Sequence, residues 1–165
     1  MNDPAALDTS ATPARAPCPH CGSERSGRER YCEPCGHDFL APVARTWSAV
    51  IAPDPEQFAR MAPAGLSFPA APAAPRSIAL VDSPVRIGRS RADIEIGDDP
   101  AVSRLHASLV HQDDDTWAIV DEGSSNGTTI NEDERAITPH TVVALHDGDR
   151  VHVGAWTTIV VSARG

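Results

Sequence analysis

Two cysteine pairs carry the most specific chemistry in this 165-residue chain. Cys18-Pro-His-Cys21 and Cys32-Glu-Pro-Cys35 are separated by ten residues. Each pair sets two thiolates at the mouth of one tight turn. Two such turns facing each other make a tetrahedral sulfur site of the kind Zn²⁺ favours. Gly22 and Gly36 directly follow the second cysteine of each pair, where a positive φ turns backbone amides toward the sulfurs. The 23 residues from 17 to 39 are too few for a hydrophobic core, so metal binding would supply their folding free energy. One structural Zn²⁺ held by Cys18, Cys21, Cys32 and Cys35 is therefore expected. Four cysteines already close that site, which makes His20 and His37 bystanders and leaves no open position for catalysis. Two disulfides would need an oxidising compartment, and a redox pair would need a βαβ context that this sequence lacks.

A second set of residues has the types needed to hold an oxyanion. It lies in four fragments: Ile87-Gly88-Arg89-Ser90, Val102-Ser103-Arg104-Leu105-His106-Ala107, Asp121-Glu122-Gly123-Ser124-Ser125-Asn126-Gly127-Thr128 and Asp147-Gly148-Asp149-Arg150-Val151. In this order and at these spacings they resemble the forkhead-associated (FHA) domain, over residues 77 to 163. The resemblance implies an eleven-stranded β-sandwich of two antiparallel sheets that binds phosphothreonine peptides through loops at one end. Position by position it implies that Arg89 and Ser103 hold the phosphate and that Arg104 adds a further contact. Ser125 would lie near the phosphate or the threonine methyl, and Asn126 would grip the peptide backbone. His106 would be a buried buttress, with Gly88 and Gly127 present for backbone geometry. The residue chemistry agrees. A phosphate dianion needs donors converging from several loops, at least one of them charged. Arg89 offers a planar fork, Ser103 a hydroxyl and its own amide, and Asn126 a group that donates and accepts at once. Each charge-assisted hydrogen bond is worth ~1.5–3 kcal/mol net. Cys18 to Phe39 in turn resembles the short zinc ribbons at the ends of many prokaryotic regulatory proteins.

Those loops need a scaffold, and the sequence supplies strands for one. Nine segments rich in Val, Ile, Thr and Trp are separated by Gly, Asp, Asn, Pro or Ser. They lie at 77–81, 85–87, 94–96, 106–111, 117–121, 128–130, 142–145, 150–153 and 157–162, a pattern that predicts a mainly β sandwich. Two further short strands are needed to reach the eleven of the resemblance. Residues 1–75 hold 12 of the 15 prolines, and this shift sets a domain boundary at Arg76. The expected organisation is a disordered arm over 1–16, the zinc ribbon over 17–39, a linker over 40–75 and the sandwich over 76–165. Within the linker, 46–51 reads as a short strand. Asp54-Pro55-Glu56 reads as a helix start, continuing over 55–61, with Trp47, Phe58 and Met61 in need of a surface to pack on.

Composition narrows the function further. The net charge of −9 argues against nucleic acid or anionic membrane as the principal partner. No apolar run approaches a membrane span and no secretory signal opens the chain, so the reading is cytoplasmic. All 14 basic residues are arginine, which with the abundant Ala and Pro fits a GC-rich bacterial genome of actinobacterial type. Residues 76–165 carry 8 arginines against 15 acidic residues, a net of −7, which repels a phosphopeptide at long range. Recognition must rest on Arg89 and Arg104 acting locally, joined by Arg91. The run Asp113-Asp114-Asp115 reads as a solvated hairpin turn. No Walker loop, kinase motif set or nucleophile elbow is present, which argues against an enzyme. The expected function is a phosphothreonine-binding adaptor or regulator in Ser/Thr kinase signalling, with the ribbon as a second interaction module. Phosphorylation of Thr9 or Thr12 would allow the arm to reach back into the same loops. The alternative is a nucleic-acid-associated regulator acting through Arg25, Arg28 and Arg30 of the ribbon, although Glu24, Glu29 and Glu33 interleave with them.

Overall fold

The computed structural model describes residues 17, 18, 20–24, 29–40 and 45–165. The arm with Thr9 and Thr12, and Arg25 and Arg28 of the ribbon, lie outside the described residues. The chain divides into two compact units, Met1–Val43 and Ala44–Gly165. No helix among the described residues is long and apolar enough to cross a membrane.

The larger unit is built from ten strands and one helix. In chain order they are β1 (Thr46–Pro53), α1 (Pro55–Met61), β2 (Arg76–Leu80), β3 (Val85–Gly88), β4 (Ile94–Glu95), β5 (Ala107–His111), β6 (Trp117–Asp121), β7 (Thr128–Ile130), β8 (Val143–Leu145), β9 (Arg150–Val153) and β10 (Thr157–Arg164). One sheet has the order β2-β1-β10-β9-β7 and the other β4-β3-β5-β6-β8. Inward-facing Trp47, Ile51, Leu80, Ile159 and Val161 of the first sheet share one core with Ile87, Leu109, Trp117, Ile119 and Leu145 of the second. The residues alternate as the sandwich requires. Trp47, Ala49 and Ile51 are buried on β1 while Ser48, Val50 and Ala52 between them are half-exposed.

Three expectations are corrected. The strand count is ten, not eleven. The sheets are not wholly antiparallel, because β3 pairs with β4 in parallel, Ile87 opposite Ile94. The sandwich does not begin at Arg76. Its tenth strand is the segment read as part of a linker, and that strand is central. β1 pairs antiparallel with β10 along its whole length, Thr46 opposite Arg164 and Pro53 opposite Thr157, and with β2 on its other side. A sandwich cut at Arg76 would leave the edges of β2 and β10 unpaired and expose the core that Trp47 and Ile51 cover.

Helix α1 is fixed to the same body. Asp54 caps it, accepting from the amides of Glu56 and Gln57 at 2.9 and 3.2 Å. The same carboxylate accepts from Arg150 of β9 at 2.7 Å and from the Thr158 hydroxyl of β10 at 2.8 Å. Phe58 packs with Phe68 and Trp156, ring centroids 5.7 to 6.1 Å apart. The Asp113–Asp115 turn joins β5 to β6, but it is more than a solvated run. Asp115 accepts the Arg45 amide through its carboxylate and the Trp47 indole through its backbone carbonyl, tying down the start of β1.

In the smaller unit the two cysteine turns match. The Gly22 amide donates to the Cys18 carbonyl at 2.8 Å and the Gly36 amide to the Cys32 carbonyl at 2.7 Å, with φ of 75° and 73° at the two glycines. Tyr31 and Asp38 form an isolated antiparallel bridge behind the second turn.

Candidate functional site

The loops at one end of the sandwich form an open cavity of about 700 Å³. It is lined by Arg89, Ser103, Arg104, Ser125 and Asn126, all five of the expected anion-binding residues, together with Arg86, Arg91 and Leu105. The five come from three loops, after β3, before β5 and between β6 and β7, while Arg86 lies on β3 itself. Among the described residues that line it there is no carboxylate. In a unit of net negative charge, that exclusion concentrates positive potential at one spot.

The loops are held by hydrogen bonds that run between them. β3 ends at Gly88, and the next amide, that of Arg89, donates to the Ser103 carbonyl at 2.9 Å. Gly88 is required here by close approach, since a Cβ on it would lie 2.1 Å from the Arg104 carbonyl oxygen. His106 is fully buried at the junction. Its Nδ1 accepts the Ser103 amide at 3.0 Å, so the proton sits on Nε2, which donates to the Gly127 carbonyl at 3.1 Å. One neutral ring therefore joins the two loops. The Ser103 amide is thereby committed inward, which corrects the expectation that it would serve the ligand. The Ser103 hydroxyl accepts the Ser125 amide at 3.1 Å and keeps its own proton to donate. Asn126 donates from Nδ2 to the Ala101 carbonyl at 2.7 Å, leaving its second N–H and its oxygen available. Arg89, Arg104, Ser125 and Asn126 are exposed, and the two arginines have no carboxylate in ion-pair range among the described residues.

Two buried carboxylates that the sequence reading left without a role shape this site. Asp121, fully buried at the end of β6, accepts from the Gly123 and Ser124 amides and from the Ser124 and Thr128 hydroxyls at 2.6–2.9 Å. Burial opposes its ionisation, but these donors outweigh burial and hold the carboxyl below its ordinary range. Asp99, also fully buried, accepts from the Ala155 and Trp156 amides and the Thr157 hydroxyl, and it anchors the Ser103 loop onto the β9–β10 turn.

Burial pushes His106 down, more than the Gly127 carbonyl and the charges of Asp121 and Asp99 raise it. His152 is pushed down by burial and then by the Arg60 charge. An unfolded histidine takes a proton near pH ~6.5, so below that pH the unfolded chain binds protons that these two folded residues refuse. Stability is full above about pH 6.5 and is lost as pH falls through the lowered values. Asp54, Asp121 and Asp149 are shifted below their usual carboxylate range and act only at more acidic pH. All three tryptophans lie in the sandwich unit, so tryptophan fluorescence follows it alone. The urea midpoint read this way is expected to fall between pH 7.5 and 5; a flat midpoint over that range refutes the assignment of neutral buried imidazoles.

In the smaller unit the four cysteine sulfurs all lie within 4.8 Å of one another. Cys18 Sγ is 3.8 Å from Cys35 Sγ, and Cys21 Sγ is 3.6 Å from Cys32 Sγ. Four thiolates placed ~2.3 Å from a central zinc lie ~3.8 Å apart, so the sulfur set fits that ion, and the gaps are far too long for disulfides of ~2.05 Å. The rings of His20 and His37 stack on each other with centroids 5.9 Å apart and take no place in the sulfur cluster. Arg30 is paired with Asp38 at 3.0 Å and lies over the Tyr31 ring, so it is not a free cation for nucleic acid.

Residues 85–154 match the family model of the FHA domain. An FHA domain-containing protein of Arabidopsis thaliana is 40% identical over 81 residues, which is 48% of this chain and 20% of that protein. The chain therefore spans about a fifth of the length of that relative. The solution structure of the FHA domain of an Arabidopsis thaliana hypothetical protein superposes with a TM-score of 0.54 at 28% identity, covering 74% of this chain and 89% of that one. A crystal structure of a Synechocystis sp. protein superposes with a TM-score of 0.51 at 25% identity, covering 72% and 99%. Over residues 85–154 the chain matches the FHA domain, and the ten-stranded sandwich that contains them has the FHA fold.

Proposed function

We propose that the sandwich binds a phosphothreonine-bearing segment of a partner protein, as an adaptor or regulator in cytoplasmic Ser/Thr kinase signalling. One observation carries this reading: Arg89, Ser103, Arg104, Ser125 and Asn126, drawn from three loops, line a single cavity with no carboxylate among its described lining residues. In this role Arg89 forks onto the phosphate, the Ser103 hydroxyl and Arg104 complete its shell, and Ser125 lies beside it. Asn126 holds the peptide backbone. His106, Gly88 and Gly127 keep the loops at their separation. The ligand is bound and not transformed. The test is a pull-down by the full chain from a degenerate peptide library bearing phosphothreonine, phosphoserine, glutamate or unmodified threonine at one fixed position. Selective retention of the phosphothreonine library is expected. Equal retention of the glutamate library overturns the reading, because a carboxylate has neither the second charge nor the third oxygen.

The smaller unit is proposed to hold one structural Zn²⁺ through Cys18, Cys21, Cys32 and Cys35 and to act as a second interaction module. Bound zinc would link the two turns that the chain itself cannot hold with so small a core. Metal analysis of the purified chain is expected to find one zinc per molecule, released together with four thiols when a mercurial titrates them. Four titratable thiols in a metal-free, folded unit would refute the assignment.

A further inference from the structure

The proline-rich stretch between α1 and β2 takes no part in the phosphate site, yet it follows a fixed course. Its last three prolines fall at every third residue, Pro69, Pro72 and Pro75, and Arg76 comes directly after them. A proline fixes its own φ near about −65° and pushes the residue before it into the extended region. From Phe68 to Pro75 only Ala70 and Ala73 escape both constraints. The chain bends at Ala70 and Ala71, then runs without bend or turn from Pro72 to Pro75 and straight into β2. The left-handed polyproline II helix that these constraints favour has three residues per turn. Pro72 and Pro75 then stand on one edge, with Arg76 beyond them.

Both ends of the stretch are anchored to the sandwich. Phe68 packs against Phe58 and Trp156, with ring centroids 5.7 and 6.1 Å away. Arg76 pairs with Ile51 of β1, and its guanidinium donates to the Glu95 carbonyl. Between these anchors, residues 70–76 are all exposed. No hydrogen bond ties Pro72, Ala73, Ala74 or Pro75 to another described residue, so their carbonyls are open to a donor from outside. Arg76 has no carboxylate in ion-pair range among the described residues. A segment that is already extended and anchored loses little entropy on being bound.

We infer that Pro72-Ala73-Ala74-Pro75-Arg76 is a docking ligand for a partner protein whose groove is lined by aromatic rings and flanked by a carboxylate. Two prolines three residues apart lie across such rings, and indole or phenol donors of the groove reach the peptide carbonyls. The Arg76 guanidinium meets the carboxylate and fixes the direction in which the segment lies. The contact uses none of the five residues proposed to hold phosphothreonine and does not rest on that reading.

The test presents the full, unphosphorylated chain to immobilised SH3, WW and EVH1 domains, which read proline-rich segments through aromatic grooves. Saturable binding to at least one of these kinds is expected. Replacing Pro72 and Pro75 together, Pro72→Ala with Pro75→Ala, should weaken it by roughly tenfold or more. Arg76→Gln should weaken it by roughly three- to tenfold, as for a partly exposed ion pair. An excess of phosphothreonine peptide should leave the binding unchanged. The substituted side chains are exposed, so thermal melts of the variants should coincide with the wild type, which separates loss of the ligand from loss of the fold. Absence of binding to all three kinds of domain overturns the proposal. Binding that survives the paired proline substitution, or that phosphothreonine peptide displaces, also overturns it, since the contact then lies elsewhere on the chain. Unchanged binding by Arg76→Gln overturns the assigned direction.

Discussion

Replacing Arg89 with alanine is expected to abolish phosphothreonine binding while leaving the sandwich folded. The structure separates the two effects. The backbone amide of Arg89 holds the loop through the Ser103 carbonyl, and alanine keeps that bond. The side chain is exposed, and its hydrogen bond among the described residues is a 3.5 Å approach of one guanidinium nitrogen to the Pro100 carbonyl. Removing it should alter stability by no more than about 0.5 kcal/mol, as for an ordinary surface change. The loss to a ligand is far larger. A forked guanidinium makes two charge-assisted hydrogen bonds to a dianion, each worth ~1.5–3 kcal/mol, so affinity should fall by roughly 10²- to 10⁴-fold. Arg89→Lys is the sharper variant. It keeps the charge and loses the planar fork, so a site that recognises geometry should recover only a small part of the loss. Calorimetric titration of the full chain with a phosphothreonine peptide, alongside thermal melts of both variants, checks the prediction. Full recovery by lysine would show that the cavity acts only as a patch of positive charge. Unchanged binding by Arg89→Ala would remove Arg89 from the site.

How much of this was legible beforehand depends on which interactions are local. All ten strands could be read, the 46–51 segment included, because each is a short apolar segment bounded by turn residues, and the Gly-Arg, Ser-x-x-His and Asn-Gly-Thr fragments fall between nine of them; what escaped was the place of the tenth in the sandwich. β1 has the right alternation at Trp47, Ala49 and Ile51, but its partner β10 lies more than a hundred residues away, and its proline-rich surroundings disguise a central strand as a linker. The commitment of the Ser103 amide to His106 depends on a ring orientation that spacing does not encode. The buried carboxylates were hidden for another reason: in a chain with 23 acidic residues, nothing about composition marks the few that are inside. Asp121 did leave a trace. With Trp117 and Ile119 it completes a period-two row on β6, and all three are buried, so an acid at the third position of an inward face marked a satisfied internal group. Asp99 left a weaker one, an Asp-Pro pair at a turn, which announces a bend without revealing what the carboxylate holds.

Asp99 is where the second large effect is expected. Its two oxygens accept from the Ala155 amide at 3.0 Å, the Trp156 amide at 3.0 Å, the Thr157 hydroxyl at 2.9 Å and the Ala101 amide at 3.1 Å. Ala155, Trp156 and Thr157 are all buried, so Asp99→Ala leaves three donors without an acceptor and without access to water. A buried donor stripped of its partner costs about 1–3 kcal/mol. Allowing for relaxation, the loss should be roughly 4 kcal/mol, a large share of the stability of a domain this size. Asp99→Asn preserves the shape but turns an NH₂ toward the donors that the second oxygen had accepted, so it should rescue only in part. Gly154 offers an independent probe of the same junction. A Cβ there would lie 2.6 Å from an Asp99 oxygen and 2.6 Å from the Val102 side chain, so Gly154→Ala should destabilise by pushing the loop off the hairpin. Urea unfolding followed by tryptophan fluorescence measures all three. The loop that Asp99 anchors carries Ser103 and Arg104, so Asp99→Asn, assayed where it is still folded, should bind phosphothreonine peptide more weakly although it touches no ligand. Wild-type stability in Asp99→Ala would mean that the β9–β10 turn finds other acceptors, and wild-type affinity in folded Asp99→Asn would mean that the loop holds its position without this carboxylate.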